Sequence, residues 1–297
     1  MNMNRLFTCL CLSLLFNLVQ AQLPIPEYQK GKAILSGTIA NYHPNDNLIF
    51  KIGAPNIVMG TAETLYPTVE SDGSFTINIP LYHHTQVRMM IGNADLVILL
   101  SPEKETNVAI NLSNPPGKQF VFSGQYATIN NEWCQPELIT KIPPVYSDGD
   151  LLDSIVGISA NEFKKRCINQ YKRYVTHNSA QLQFSEDTRT LANLSCAFDC
   201  LKNLQATHYC LQTAYQKKEN ITREQAFAAF LDVYLPDDFH NYLKDFPVNH
   251  PLALYCYNYR NVVMDLYDTH KDPLAYEKNL LKNAPLTKAV SYTHLTL

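Results

Sequence analysis

Trp133-Cys134-Gln135-Pro136-Glu137 is the stretch of this chain that comes nearest to a reactive centre. Dithiol exchange needs a nucleophilic thiolate and a second thiol one helical turn on, which releases the mixed disulfide. Trp133, Cys134 and Pro136 are of suitable types, but Glu137 stands where the resolving thiol must be. The residues before it, Tyr126 to Asn131, are polar and read as helix, whereas such a motif follows a buried strand. Pro136 also suits the first turn of a new helix. Cys134 is therefore expected to carry no exchange chemistry.

The other candidates lack partners. Cys196 and Cys200 are spaced i, i+4 on one helix, but a metal would need two more ligands nearby and nothing local supplies them. A disulfide between them is disfavoured, because Cβ vectors along one helix face run nearly parallel. His83 and His84 border a strand and point to opposite faces, so they cannot chelate one ion together, and they read as loop or edge histidines. Asp148-Gly149-Asp150 lacks the later bidentate Glu of a calcium loop. Asp237, Asp238 and His240 read as capping residues after Pro236. Tyr255, Tyr257 and Tyr259 read as packing residues. No catalytic, cofactor-binding or metal-ligating residue is expected, and no cofactor.

Two hydrophobic periods divide the chain. From Ala33 to Gly124 short runs such as Ser74–Pro80 and Thr85–Gly92 alternate apolar and polar residues, with turn formers between them. Seven or eight strands without intervening helices predict an antiparallel sandwich or barrel. Phe75, Ile77, Ile79, Val87, Met89, Ile91, Val108 and Ile110 are expected to face inward. Asn114-Pro115-Pro116-Gly117 reads as a long hairpin loop before the last strand.

After Tyr126 the period becomes about 3.6. Ser185-Glu186-Asp187 predicts a helix start. Leu191, Leu194, Phe198, Leu201, Leu204, His208 and Leu211 form one apolar stripe, with Cys196 and Cys200 on a second buried surface. Thr222 to Gln225 resembles a capping box, Pro236 closes that helix, and Pro251 opens another. Five or six helices are expected. The fold class is thus α+β, with an N-terminal antiparallel β-sandwich (22–124) followed by an all-helical domain (125–289).

The bulk numbers fit a folded protein. The 297 residues are 46% hydrophobic with a net charge of -3, and the 24 Lys and Arg are scattered, which argues against a nucleic-acid partner. Residues 1–21 read as a signal peptide cut after Ala21, with an apolar run from Leu6 to Val19 too short to span a membrane. The mature chain is expected in the periplasm or cell envelope, without a membrane span. Its cysteines are then Cys134, Cys167, Cys196, Cys200, Cys210 and Cys256, an even number that permits disulfides in an oxidising compartment. Burial as free thiols is the favoured reading, because a chain of this size does not need staples.

Several stretches in order, GKAILSGTIANY, DGSFTINIPLYHHTQVRMMI, LLSPEKETNVAINL, FSGQYATINNE and FPVNHPLALYCYNY, resemble one family. They are similar to the amino-terminal part of Bacteroidetes-type TlpA-like exported thioredoxin-family proteins, over about Gly31 to Pro285. The resemblance implies a β-sandwich domain of unknown function, then helices, then a thioredoxin domain carrying Trp-Cys-x-x-Cys. Nothing in this chain matches that last domain, so no catalytic residue is carried over. The final VSYTHL resembles a translated transposon end used in building sequencing libraries. Val290 to Leu297 are accordingly expected to be adapter-derived, and the gene to be cut short before its catalytic domain. The role expected is positioning or substrate selection for a thiol-disulfide oxidoreductase acting on envelope proteins. The alternative is a stand-alone envelope binding or scaffold protein without redox chemistry.

Overall fold

Alternation along the first half builds eight strands: β1 (Gly31–Ile39), β2 (Phe50–Asn56), β3 (Thr61–Leu65), β4 (Ser74–Leu81), β5 (Thr85–Ile91), β6 (Ala94–Leu100), β7 (Glu105–Ile110) and β8 (Phe120–Gly124). The computed structural model describes residues 23–56, 61–230, 235 and 239–268. The leader expected at 1–21, Pro236 to Asp238, and the tail from Val290 lie outside the described residues.

The strands form two four-stranded sheets, ordered β4-β1-β7-β8 and β3-β2-β5-β6. Their inner faces meet in one apolar cluster that includes Leu35, Ile52, Phe75, Ile79, Val87, Met89, Ile91, Val108 and Ile110. Seven of the eight residues expected inward are buried; Ile77 is half-buried and packs against the same cluster. Each fully buried large aliphatic or aromatic side chain contributes about 1.5–3 kcal/mol, so the register of the alternation is strongly fixed.

The pairing is antiparallel with one difference from expectation. β7 leaves the other sheet by the Ser101 to Lys104 turn and lands beside β1 in parallel register. Gly37 makes that pairing possible: a Cβ there would lie 2.1 Å from the Val108 carbonyl oxygen. The β5–β6 hairpin closes on Gly92 and Asn93, with Gly92 at φ 55, the left-handed geometry that a two-residue loop needs at its first position. Asn114 to Gly117 lies in the β7–β8 hairpin loop.

Seven α-helices follow among the described residues: α1 (Ala127–Trp133), α2 (Gly149–Ser154), α3 (Ala160–Ala180), α4 (Glu186–Gln205), α5 (Thr207–Glu219), α6 (Arg223–Phe230) and α7 (Tyr259–Asp268). Side-chain caps start four of them. Asp148, Ser159 and Ser185 accept from the amides of Leu151, Glu162 and Thr188. Thr222 and Gln225 exchange bonds as the predicted capping box, at 2.9 and 3.3 Å.

Three helical expectations are corrected. The stripe from Leu191 to Leu211 is two helices, because the chain breaks at Ala206 and Thr207 turns its hydroxyl onto the Leu204 carbonyl at 2.6 Å. One residue out of helix leaves the apolar positions nearly in phase, so periodicity alone does not register it. Pro251 opens only turns and a short 3-10 segment (Ala253–Tyr255), and the helix waits until Tyr259. Pro136 sits in a turn instead of a helix.

The helices enclose a second apolar cluster around Phe163, Tyr171, Leu191, Phe198, Leu201 and Tyr255. Leu99 of β6 and Leu23 also belong to it. Ile98 and Leu100 face the sandwich core while Leu99 faces the helices. β6 is therefore covered on both faces at its Ile98-Leu99-Leu100 end, where the apolar run is fully buried.

Candidate functional site

The residues with chemistry fall into three places: a set of thiols in the helical core, a polar seam between sandwich and helices, and a basic groove beside α3.

All six cysteines of the described residues are free; five are buried and Cys134 is half-buried. Cys134 ends α1 and packs against the sandwich cluster. Burial pushes its thiol up to about 12. Burial likewise pushes Cys210 and Cys256 up to about 12 and raises Cys196. Cys196 donates to the Ile139 carbonyl at 3.3 Å, and Ser195 Oγ donates to the Cys256 sulfur at 3.8 Å. Cys200 of α4 lies against Cys167 of α3, its Sγ 3.3 Å from the Cys167 carbonyl oxygen. Asp199 sits among them. Its carboxyl group faces the protein and accepts from the Ile142 amide at 3.2 Å and from Asn258 Nδ2 at 2.6 Å. Burial outweighs those bonds and pushes its pKa up to about 6.

The seam was not legible in the sequence. His83 and His84 lie in the loop between β4 and β5, as expected, but His83 is buried, 4% exposed, and His84 is half-buried. His83 Nδ1 contacts the His84 carbonyl at 2.7 Å, and His84 Nδ1 and the Tyr126 hydroxyl share a hydrogen bond. Burial lowers the pKa of both imidazoles. The Tyr255 hydroxyl donates to the Pro24 carbonyl at 2.9 Å. The rings of His84, Tyr126 and Tyr255 contact one another pairwise. Asp187, in the first turn of α4, accepts from the Leu23 amide at 3.1 Å. The chain just ahead of β1 is thereby tied to the helices. On the neighbouring strand Gln86 Oε1 accepts from the Tyr257 amide at 3.1 Å. Of the tyrosine trio, Tyr255 and Tyr259 are core residues and Tyr257 joins this seam.

The groove, about 850 Å³, runs along α3 opposite α2. Ile155, Phe163 and Cys167 line its apolar side, and Arg166, Lys172 and Arg173 line its rim. Arg166 is engaged by Glu162 and by the Ser154 carbonyl. Asp148 proves to be the cap of α2, and His240 lies in a 3-10 segment (Phe239–Asp245). Among the described residues no three His, Cys, Asp or Glu side chains are arranged to hold a metal ion, and no helix is long and apolar enough to cross a membrane.

No protein-family model and no curated protein matches the chain. A solved structure, described as a "putative cell adhesion protein" from Bacteroides ovatus, is similar at 10% identity over 32% of this chain, with a TM-score of 0.20. The match spans 43% of that structure's chain. A likeness of that extent carries no argument about fold or activity.

Proposed function

We propose that this chain is the non-catalytic, positioning part of an exported thioredoxin-family thiol-disulfide oxidoreductase, whose thioredoxin domain would follow it. The reading rests on the sequence resemblance, and the structural observation that supports it is the burial of five of the six described thiols, with Cys134 half-buried. Exchange needs an accessible thiolate of lowered pKa, and here burial raises the pKa of Cys134, Cys196, Cys210 and Cys256. What remains is a sandwich and a helical bundle joined by a hydrogen-bonded seam, an arrangement suited to holding another domain or its substrate in place. Reduction of insulin by dithiothreitol tests the first half: the chain and its Cys134→Ser variant should both run at the uncatalysed rate. A rate above background that vanishes in Cys134→Ser would sink the reading. The gene beyond codon 289 tests the second half. A Trp-Cys-x-x-Cys domain there supports it, and a stop codon overturns it.

The groove favours the second reading, a stand-alone envelope binding or scaffold protein. Lys172 and Arg173 are exposed beside an apolar wall, which suits an anionic, partly apolar partner.

A further inference from the structure

We propose that the groove beside α3 docks an acidic segment of a partner protein, with an apolar side chain of that segment at one end and its carboxylates at the other. The smaller cleft lined by Gly92 and Leu112 has no charged side chain to orient a ligand, and the Asp199 carboxyl is already satisfied by the Ile142 amide and Asn258. The proposal rests on the reading of the groove as a binding surface, and it holds whether or not a thioredoxin domain follows the chain.

Charge selects the partner. α3 carries Lys164, Lys165, Arg166, Lys172 and Arg173 against the single carboxylate Glu162, in a chain whose net charge is -3. It is a local positive element on a net acidic chain, an arrangement that steers an anionic partner to one place. Arg166, Lys172 and Arg173 line the groove, and no carboxylate does. The neighbouring acidic side chains are engaged elsewhere: Glu162 pairs with Arg166, Asp153 pairs with Lys217, and Asp148 caps α2. Asp150 stands in the first turn of α2 and does not line the groove. Lys172 and Arg173 are exposed, and among the described residues neither is in an ion pair.

The apolar side is displaced from those two cations. Arg166 donates to the Ser154 carbonyl at 2.7 Å, which sets the end of α2, with Leu151 and Ile155, beside the first half of α3. Phe163 lies one turn before Arg166, whereas Lys172 and Arg173 follow about 10 Å further along the helix, at 1.5 Å per residue. An extended peptide covers that distance in roughly three residues. A fatty acid fits less well, because it gains affinity by burying a whole alkyl chain. Here the groove is open to solvent, and Val145, Ile155 and Phe163 are already packed in the core behind it. The apolar area left, chiefly at half-buried Leu151, suits a side chain and not a long tail. A sulfated or phosphorylated polymer would match the cations and leave that apolar end unused.

The test titrates the whole chain into a fluorescein-labelled peptide of two leucines, two serines and three aspartates, read by anisotropy. Binding should be saturable and should weaken as salt rises. Replacing the aspartates by asparagine, or the leucines by serine, should each weaken it roughly tenfold. Lys172→Glu and Arg173→Glu should each weaken it by roughly five- to tenfold. Lys165→Glu, on the same helix but outside the groove lining, should leave it nearly unchanged. Equal loss in Lys165→Glu would reduce the site to a diffusely basic helix and overturn the proposal. So would equal binding of the asparagine or the serine peptide, a result that the parent protein gives without any variant. Saturable binding of laurate or heparin where the acidic peptide fails would overturn the proposal and leave the groove a binding surface. No binding of any of the three would remove both. Insulin reduction and the gene beyond codon 289 are untouched by these outcomes, so the thioredoxin-family reading stands or falls separately.

Discussion

Asn130 and Asn131 are neighbours in the chain and bond to opposite sheets of the sandwich. Asn130 accepts from the Leu99 amide at 2.7 Å and donates to the Leu99 carbonyl at 3.1 Å. Asn131 does the same for Phe122, at 2.7 and 2.9 Å. β6 and β8 are edge strands, one in each sheet. One short helix thus supplies both edges with the peptide-like partner that an edge lacks. The helical half repeats the device: Asn178 brackets Ile139 at 3.1 and 2.8 Å, and Asn203 takes the Val145 amide and the Pro143 carbonyl, both at 3.2 Å.

Asn130→Ala should therefore destabilise the protein by about 2 kcal/mol, since it leaves a buried amide and carbonyl without partners. Asn131→Ala should cost less, roughly half as much, because its bonds are only partly buried. Urea denaturation of the two variants beside the parent protein measures both. Losses near zero for Asn130→Ala would show that water replaces the side chain and that the clamp is incidental.

Thiol reactivity follows from the same enclosure. With Cys134 pushed up to about 12 against an ordinary 9, its thiolate population near neutral pH falls about a thousandfold. Iodoacetamide at pH 7.5 should label the folded, reduced protein very slowly, with Cys134 first because it alone is half-buried. In guanidinium chloride all six described cysteines should react together. Fast native labelling at Cys196 or Cys210 would contradict the core described above.

The sandwich was legible because one buried face imposes a period of two, and Phe75, Val87, Met89 and Val108 follow it. β6 is recognisable only as an apolar run, since its second face is covered by residues far along the chain. The helix start at Ser185 and the box at Thr222 are local signals and were read correctly. Ala206 and Pro251 were not, because a one-residue break preserves the stripe and a proline permits several continuations. The seam was missed for a different reason. His84, Tyr126 and Tyr255 are far apart in sequence, and nothing local in any of them shows that the three rings meet. Asn130 and Asn131 did offer a hint, as paired polar residues in a short helix between two apolar cores.

The seam should weaken in acid. His83 and His84 have pKa values below the ordinary 6.5 in the fold, because burial favours the neutral ring. Their contribution is present above pH 6.5 and is lost as pH falls through the lowered values. Between pH 7.5 and 5 the parent protein should lose more Tm than His84→Gln, whose amide oxygen does not titrate. Parallel Tm curves for the two proteins would remove His84 from the acid response.

Asp199 should act in the opposite direction. Its pKa rises from 3.8 to about 6 on folding, through burial that Asn258 and the Ile142 amide only partly offset. Between those values the folded chain binds more protons than the unfolded one, so this residue's contribution falls as pH rises. It is fully present below about pH 4 and gone above about pH 6, a change of about 2–3 kcal/mol. Asp199→Asn keeps a carbonyl acceptor but cannot titrate, so the variant is the reference. Urea midpoints converted to free energies from pH 4 to 7 should show the parent protein losing stability relative to Asp199→Asn across that window. A difference that stays flat would mean that solvent reaches the carboxylate. One that grows in favour of the parent with pH would mean that the fold prefers the charged form, and the raised pKa would be wrong.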